Sequence, residues 1–283
     1  MLDTLQTAAG VKPTLTDKDV LQFCKTGFLV LEGVIPDSTN EWVFEYLDRE
    51  GAPESALAKH ERFIAEVFLH PKVAGVARSL LGENFALPEK LPNHRLVGPT
   101  PAGRWHMDGG AQFERTCTHL YAFYIPQTNT KVMGPTYFLP GSHLVPISRE
   151  ELQHFGHLAG QVQTNGPAGS VFFTHQSIWH RQAVKTDQSV RNLLKWSFWR
   201  TVPPKRDWIA DPDFNVSRAD FSFDSKYFAG PARKWQSVPR TAEMFTWLCG
   251  ESENFRWFGG SGWPYGGSPD VILERERWLA HRT

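Results

Sequence analysis

The sequence predicts a mainly β protein, a sandwich or barrel with helices packed along its flank. From about residue 84 to residue 200, short apolar runs alternate with turns rich in glycine and proline, which is typical of many short strands. Residues 16–83 instead carry apolar residues at helical spacing, interrupted by one apolar run at Phe28–Leu31. The chain of 283 residues is long enough to bury a substantial core.

The helical first third begins with a capping signal. Thr16 is followed three residues later by Asp19, which predicts the start of a helix, and Gly27 predicts its end. The apolar run Phe28–Leu31 then predicts a buried strand. Residues 1–15 lack a clear period, and we interpret them as a loosely ordered leader. Further helices are predicted at residues 36–50, 63–68 and 73–81.

The β-rich region contains six short apolar runs that we interpret as strands. They are residues 85–87, 95–97, 120–125, 137–139, 171–173 and 193–199. After Thr201 the sequence becomes irregular, with helices predicted near 241–248 and 269–280. Because no domain boundary is visible, we expect a single domain over residues 1–283. Its barrel core would span about residues 84–200, with residues 201–283 packed against it as an extension.

Bulk properties disfavour several classes of partner. The 30 Lys and Arg residues balance 30 Asp and Glu, which disfavours a nucleic-acid surface. No stretch approaches the roughly 20 apolar residues that span a bilayer, and we expect neither a membrane partner nor a secretory signal. Cys24, Cys117 and Cys249 lie far apart without CxxC spacing, as expected for reduced thiols in a cytoplasmic protein. The sequence indicates no oligomeric state.

The run Arg-Trp-His-Met-Asp-Gly-Gly at residues 104–110 places an imidazole and a carboxylate two positions apart. In an extended chain, residues i and i+2 point to the same side, so His106 and Asp108 would project together as two ligands of one metal. Trp105 and Met107 would face the other way, into packing. The sequence therefore predicts half of a metal site here.

The best candidate for a third ligand is His180, which follows an apolar run at residues 171–173. Two histidines and one carboxylate leave the opposite side of a metal open, as in non-haem Fe(II) oxygenases. Eleven residues further on, Arg191 offers a planar fork for a carboxylate. Because the chain has 11 histidines, ordinary hydrogen-bonding roles remain the alternative for each of these residues.

Four stretches resemble the phytanoyl-CoA dioxygenase family of Fe(II)/2-oxoglutarate oxygenases. They are residues 23–35, 106–108, 134–143 and 169–191, and the Pro-Gly-Ser-His run at 140–143 is the most specific. The likeness spans roughly residues 16–200. It implies a double-stranded β-helix, a jelly-roll, cupin-like barrel with helices on one side.

The resemblance also implies roles for individual residues. By this likeness His106, Asp108 and His180 would bind Fe(II), and Arg191 would hold the C5 carboxylate of 2-oxoglutarate. Thr136 would add a hydrogen bond to this cosubstrate. O₂ would be the second cosubstrate.

Other histidines compete with these assignments. His175 is the main rival to His180, but in the family pattern the ligand follows the aromatic-rich run and precedes the arginine by eleven residues. Only His180 meets both conditions. We interpret His143 as a structural part of the Pro-Gly-Ser-His turn, and His119 as a core or surface residue.

The implied reaction is hydroxylation of an unactivated C–H bond while 2-oxoglutarate is converted to succinate and CO₂. Related halogenases replace the carboxylate ligand with a small residue, so Asp108 favours oxygenation, or desaturation or ring closure. Aromatic residues make up 13% of the chain, which suits a small apolar or ring-containing substrate such as a secondary metabolite. No basic cluster suits a CoA handle. Arg104 could meet a substrate acid or be a surface charge.

Shielding of the site is a further expectation. Four tryptophans bracket the motifs and could either exclude water from the site or belong to the core: Trp105, Trp179, Trp196 and Trp199. If residues 193–199 are extended, Trp196 and Trp199 lie on opposite faces, so at most one of them faces the pocket.

Three other hypotheses stay open. The chain could be a non-catalytic jelly-roll binding protein, which would not consume 2-oxoglutarate. It could be an oxygenase acting on a macromolecule, although the neutral charge disfavours nucleic acid. A metal-dependent hydrolase or isomerase on a cupin-like barrel would have no use for Arg191 near its metal.

Overall fold

The computed structural model describes residues 6–49, 54–108, 115–145, 147–223 and 231–251. Within these ranges the α-helices are α1 (Asp17–Thr26), α2 (Asp37–Asp48), α3 (Glu54–Leu57), α4 (Glu61–Phe63), α5 (Pro71–Leu81), α6 (Arg149–Leu152) and α7 (Pro231–Leu248). A π-helical turn covers Ile64–Phe68, and 3₁₀ turns cover Ser142–Leu144 and Val216–Arg218. The helix predicted at 269–280 lies outside the described residues. In the part described, no helix combines the length and apolarity needed to cross a membrane.

The described strands form three antiparallel groups. The strands are β1 (Phe28–Leu31), β2 (Leu96–Val97), β3 (His119–Ile125), β4 (Thr136–Phe138), β5 (Val162–Gln163), β6 (Ser170–His175), β7 (His180–Gln182), β8 (Val190–Arg191) and β9 (Leu194–Trp199). One sheet has the order β1-β6-β3-β9, a second has the order β5-β4-β7, and β2 pairs with β8. This is the mainly β architecture with flanking helices that the sequence predicts.

Helix α1 starts and ends where its sequence predicts. The Thr16 hydroxyl accepts from the Asp19 backbone N–H, and the Asp19 carboxylate accepts from the Thr16 N–H, which completes a capping box. Gly27 ends the helix with a φ of 78°, a conformation that favours glycine. A Cβ at Gly27 would lie 2.4 Å from His143 Nδ1, so the end of α1 packs tightly against the Pro-Gly-Ser-His turn.

The four-stranded sheet has a helix-covered face and an inner face. Alternate residues of its central strands belong to one large core with the helices: Leu120, Ala122, Tyr124, Val171, Phe173, Leu194, Trp196 and Phe198. Trp196, for example, lies 5.1 Å from Phe68, measured between ring centroids. The intervening residues therefore point away from the helices, because side chains alternate along a strand. Phe123 and Phe172 pack there against Phe138 of the second sheet.

The structure corrects several element predictions. Residues 85–87 do not form a strand, because Ala86 makes only isolated bridges, to Thr7 and to Trp199. The leader is not loose where it is described: Leu15 is buried, and its backbone N–H donates to Ser79 Oγ at 3.0 Å. Strands β5, β7 and β8 escaped prediction because two or three residues are too few to show a period.

The described part of the C-terminal extension packs against α1. Asp17 is fully buried and accepts from Arg206 Nε and Nη2 at 2.8 and 2.7 Å. It also accepts from Trp208 Nε1 and from the Asp211 backbone N–H. Burial opposes the charge on this carboxylate, but these hydrogen bonds outweigh it and lower the pKa of Asp17. The contacts support our proposal of a single domain.

Asp17→Ala is expected to lower the free energy of unfolding by roughly 2–4 kcal/mol, because it leaves Trp208 Nε1 and the Asp211 N–H without their acceptor. Urea denaturation measures the change. Asp213→Ala, which removes an exposed carboxylate, is the matched control and should stay within about 0.5 kcal/mol of the parent protein. If the two variants were equally stable, the contacts between Asp17 and residues 206–211 would not contribute to the free energy of unfolding.

Candidate metal centre

Two backbone hydrogen bonds bring the predicted histidines together. The His106 N–H donates to the His180 carbonyl at 3.0 Å, and the His180 N–H donates back at 2.9 Å. This is an isolated antiparallel bridge rather than the extended strand that residues 104–108 predict. It sets the two imidazole rings side by side, with centroids 4.3 Å apart.

The carboxylate of Asp108 completes the cluster. One potential ligand atom from each of His106, Asp108 and His180 lies within 4.8 Å of the other two. His180 Nε2 is 3.3 Å from Asp108 Oδ2, and His106 Nε2 is 4.0 Å from Asp108 Oδ1. In the part of the chain that the structure describes, this is the one cluster of His, Cys, Asp and Glu close enough to hold a metal ion.

Both imidazoles are oriented by the backbone. His106 Nδ1 lies 2.9 Å from the Arg104 carbonyl, and His180 Nδ1 lies 3.2 Å from the Ile178 carbonyl. A carbonyl can only accept, so each contact places the imidazole proton on Nδ1. The lone pair of each ring is then on Nε2, which points into the cluster, as metal-binding histidines require.

The local electrostatics keep these side chains in the forms that bind metals. Burial lowers the pKa of His180 to about 3, so its ring is neutral at neutral pH. Burial opposes the charge on Asp108, but nearby His180 and Lys195 outweigh it and lower the pKa of this carboxyl. A divalent cation therefore need not displace protons from either residue at neutral pH.

Arg191 lies in the same cavity with its guanidinium almost completely buried, at 1% exposure. Nη2 donates to Thr136 Oγ1 and Nη1 to the His94 carbonyl, both at 3.3 Å, while Nε has no hydrogen-bond partner. No carboxylate among the described residues lies within ion-pair distance of it, and burial lowers its pKa to about 10. A buried cation without an anion fits a site that binds a carboxylate.

One cavity of about 180 Å³ unites these groups. His106, Asp108, Thr136, His180 and Arg191 all line it. The structure thus brings together every site residue that the sequence analysis named. The jelly-roll topology is responsible, because β7 and β4 pair directly while β8 follows β7 along the chain.

Lys195 also lines the cavity, although no role was predicted for it from the sequence. Its ammonium contacts the Asp108 carboxylate. The available signal was a single charge inside the apolar run Leu-Leu-Lys-Trp-Ser-Phe-Trp at residues 193–199, four positions after Arg191. A charged residue within a buried strand requires a partner.

The competing histidines lie elsewhere. His175 is buried with Nε2 2.9 Å from the Thr116 carbonyl, and its ring centroid is 4.9 Å from that of His143. His143 Nε2 in turn lies 2.9 Å from the Cys24 carbonyl. This pair joins the end of α1 to β6, away from the cavity. His119 lies at the start of β3, where its ring stacks on Trp199.

The tryptophans are divided between core and inner face. Trp105 and Trp179 pack with Leu139 in a separate buried cluster, and Met107 lies against it. Trp196 belongs to the helical core, whereas Trp199 is half-exposed on the opposite side of β9. None of them lines the 180 Å³ cavity. Arg104 is exposed, and its carbonyl orients His106.

The buried pair His143 and His175 predicts acid sensitivity. Burial lowers the pKa of His143 well below 6.5 and that of His175 to about 4, so unfolding takes up protons in acid. The contribution of these two histidines to the free energy of unfolding is fully present above pH 6.5. It falls by about 1.4 kcal/mol per pH unit for each histidine as the pH decreases towards about 4. Urea denaturation across this range should show a shallower loss for His175→Gln. The exposed control His154→Gln should keep the parent slope; equal slopes in all three proteins would contradict this account.

Comparison with known proteins gives a family and a fold. The family model described as phytanoyl-CoA dioxygenase (PhyH) matches residues 35–192, which is more than half of the chain. Among curated protein sequences, none matches this chain.

Solved structures agree on the fold. EctD from S. alaskensis with bound Fe has a TM-score of 0.53 and 18% identity over 71% of this chain and 82% of that one. HygX from Streptomyces hygroscopicus with nickel and 2-oxoglutarate has a TM-score of 0.52 and 17% identity, covering 75% and 98%. The carbocyclase SnoK from nogalamycin biosynthesis has a TM-score of 0.50 and 22% identity, covering 74% and 94%. These likenesses confirm the predicted jelly-roll fold.

Proposed function

Because this chain belongs to the phytanoyl-CoA dioxygenase family, we propose that it is an Fe(II)- and 2-oxoglutarate-dependent hydroxylase of a small organic molecule. Family membership makes it an oxygenase-type enzyme. The observation that carries the finer proposal is the shared cavity of two oriented histidines, one carboxylate and a buried arginine without a described carboxylate partner.

We assign His106, Asp108 and His180 as the ligands of Fe(II). Two neutral Nε2 atoms and one carboxylate oxygen suit this ion and leave further coordination positions open. When bound, the iron supplies the redox chemistry with O₂ that no protein side chain provides. The carbonyls of Arg104 and Ile178 hold the two rings in the binding tautomer.

We assign Arg191 and Thr136 to the C5 carboxylate of 2-oxoglutarate. The guanidinium already donates to the threonine hydroxyl, so an anion placed between them would receive hydrogen bonds from both side chains. The free Nε–H of Arg191 provides a further donor that is otherwise unsatisfied. Because Arg191 and the three ligands line one cavity, 2-oxoglutarate held by Arg191 would have its keto acid within that cavity.

The balanced reaction converts a substrate C–H into C–OH. One atom of O₂ enters the hydroxyl and the other enters succinate, while 2-oxoglutarate loses CO₂. The chain contributes binding, orientation and exclusion of water, for which Phe123 and Leu193 supply apolar cavity wall. Asp108 occupies the ligand position that halide takes in the related halogenases, which supports oxygenation over halogenation.

A small substrate suits the dimensions of the site. The cavity at the metal cluster measures about 180 Å³, and its walls are partly apolar. The structural likeness to SnoK, a carbocyclase of nogalamycin biosynthesis, and to HygX, whose structure has also been solved with hygromycin B bound, supports a small-molecule substrate.

The test begins with protein loaded anaerobically with Fe(II) and 2-oxoglutarate and then exposed to O₂. Succinate is expected to form only when both are present, and a metabolite screen should find compounds that accelerate it. Mass spectrometry then separates outcomes: hydroxylation adds one oxygen atom, whereas desaturation and ring closure remove two hydrogens. A protein that bound iron and 2-oxoglutarate but never released succinate would instead be a non-catalytic binding protein.

A further inference from the structure

The inner face of β9 forms a row of side chains that leads away from the metal cluster. Leu194, Trp196 and Phe198 face the helices, so the alternate residues Lys195, Ser197 and Trp199 face inward. In the register with β3, their partners are Phe123, Tyr121 and His119, respectively. From Lys195 to Trp199, four residue steps, the strand spans about 13 Å.

Lys195 occupies the end of this row nearest the metal cluster. Its side chain is only 9% exposed, and its ammonium contacts the Asp108 carboxylate. The Nζ atom also lies 4.5 Å from the ring centroid of Tyr121 and 5.2 Å from that of Phe123. Among the described residues, Asp108 is the only carboxylate within ion-pair distance of Lys195.

This pairing changes when Asp108 binds a metal. A divalent cation takes up the negative charge of the carboxylate and places a second positive charge close to Lys195. A buried ammonium without an anion is costly, so the loaded site favours an additional negative group at this position. Arg191 has a different partner, because its guanidinium donates to Thr136 of β4.

The other end of the row lines a second cavity of about 390 Å³. Its walls are Ala86, Leu87, Pro88, Glu89 and Lys90, together with Ser197 and Trp199 of β9. Trp199 is 49% exposed, and its ring stacks on His119 with centroids 4.1 Å apart and an interplanar angle of 19°. An exposed, stacked indole beside apolar side chains suits a ring or an apolar chain.

We propose that the substrate is an organic acid whose anionic group binds Lys195 while its apolar or ring-containing body extends along β9 towards Trp199. This inference rests on the proposed function and names the substrate class of that site. Since Lys195 contacts a metal ligand, the acid group lies next to the metal centre. The oxidised carbon is therefore close to the acid, at the α or β position. There the C–H becomes C–OH, with O₂ and 2-oxoglutarate consumed as above.

The test compares ring-containing acids with their uncharged amides on protein loaded with Co(II) and 2-oxoglutarate without O₂. The probes are cinnamate, hydrocinnamate and cyclohexanecarboxylate, each with its primary amide, and calorimetry measures their dissociation constants. The parent protein should bind at least one acid about tenfold or more tightly than its amide, the effect of one charge-assisted hydrogen bond. An absence of acid preference across the panel would overturn the inference.

Variants assign the preference to Lys195. Lys195→Met should abolish it, Lys195→Arg should retain it, and the exposed control Lys131→Met should behave as the parent. Circular dichroism and thermal melting establish that each variant is folded, and the arginine variant separates loss of charge from a structural defect. If Lys195→Met instead weakened 2-oxoglutarate binding about tenfold, Lys195 would serve the cosubstrate, and the inference would be wrong.

Failure of this inference and failure of the proposed function are distinguishable. Succinate release from Fe(II) and 2-oxoglutarate tests the enzyme without any acid probe. Succinate release without acid preference would leave the hydroxylase standing and remove only the substrate class. Acid preference without succinate release would identify a binding protein for organic acids.

Discussion

Asp108→Ala is expected to abolish succinate formation and to weaken binding of divalent metal by at least about a hundredfold. Loss of groups that merely orient metal ligands already costs about 10–100-fold in affinity, and Asp108 is proposed to be a ligand itself. The substitution removes the only carboxylate of the three-residue cluster and leaves two neutral imidazoles. Calorimetry with Co(II) measures the affinity, and anaerobic loading followed by O₂ measures succinate.

The control for this prediction must separate a lost ligand from a lost fold. Asp108→Ala also leaves the Lys195 ammonium without its carboxylate, so some loss of stability is expected in the metal-free protein. A thermal melt establishes whether the variant is folded at the assay temperature. Asp213→Ala, at an exposed position, should match the parent in both assays. Undiminished succinate release from folded Asp108→Ala would refute the assignment of Asp108 as a ligand.

Arg191→Gln is expected to weaken 2-oxoglutarate binding by about 10–150-fold while leaving the affinity for metal unchanged. The range corresponds to about 1.5–3 kcal/mol for a hydrogen bond to a charged group. Because the guanidinium is buried and no described carboxylate pairs with it, its removal should not lower stability as removal of an ion-pair partner would. Calorimetric titration of 2-oxoglutarate into Co(II)-loaded protein measures the change.

Two further variants sharpen this prediction. Arg191→Lys keeps the charge but loses the planar fork, so it should fall between the parent and Arg191→Gln. Arg181→Gln removes a guanidinium that lies over the rings of Trp105 and Tyr137, outside the cavity, and should leave cosubstrate affinity intact. Equal loss of metal affinity and 2-oxoglutarate affinity in Arg191→Gln would show a general disruption of the site rather than a carboxylate-binding role.

The local signals in the sequence predicted local structure well. The capping pair Thr16 and Asp19 and the terminating Gly27 predicted α1 because caps depend on a few adjacent residues. The alternation in residues 193–199 correctly placed Trp196 and Trp199 on opposite faces. The strand predicted at residues 85–87 was wrong. No neighbouring strand pairs with this apolar triplet over its whole length, so it forms only isolated bridges.

Long-range pairing lay beyond these signals. No residue near His106 indicates that its backbone partner is His180. Strands β7 and β8 have only three and two residues, which is too short for a recognisable sequence pattern. The spacing of His106 and Asp108 predicted half of the site, and the resemblance to a family implied the full set of ligands. No role was predicted for Lys195, because a single charge in an apolar run does not reveal its partner. That partner, Asp108, lies far away in the sequence.

The bridge between His106 and His180 has a consequence for the lifetime of the protein. The backbone hydrogen bonds between His106 and His180 connect two segments that are far apart in the chain. A metal ion bound by both side chains would connect the same residues a second time. Without iron only the backbone bridge would join the two segments. Residues 104–108 would then become accessible to solvent and to proteases more often. Iron scarcity would then reduce the amount of the protein as well as its activity.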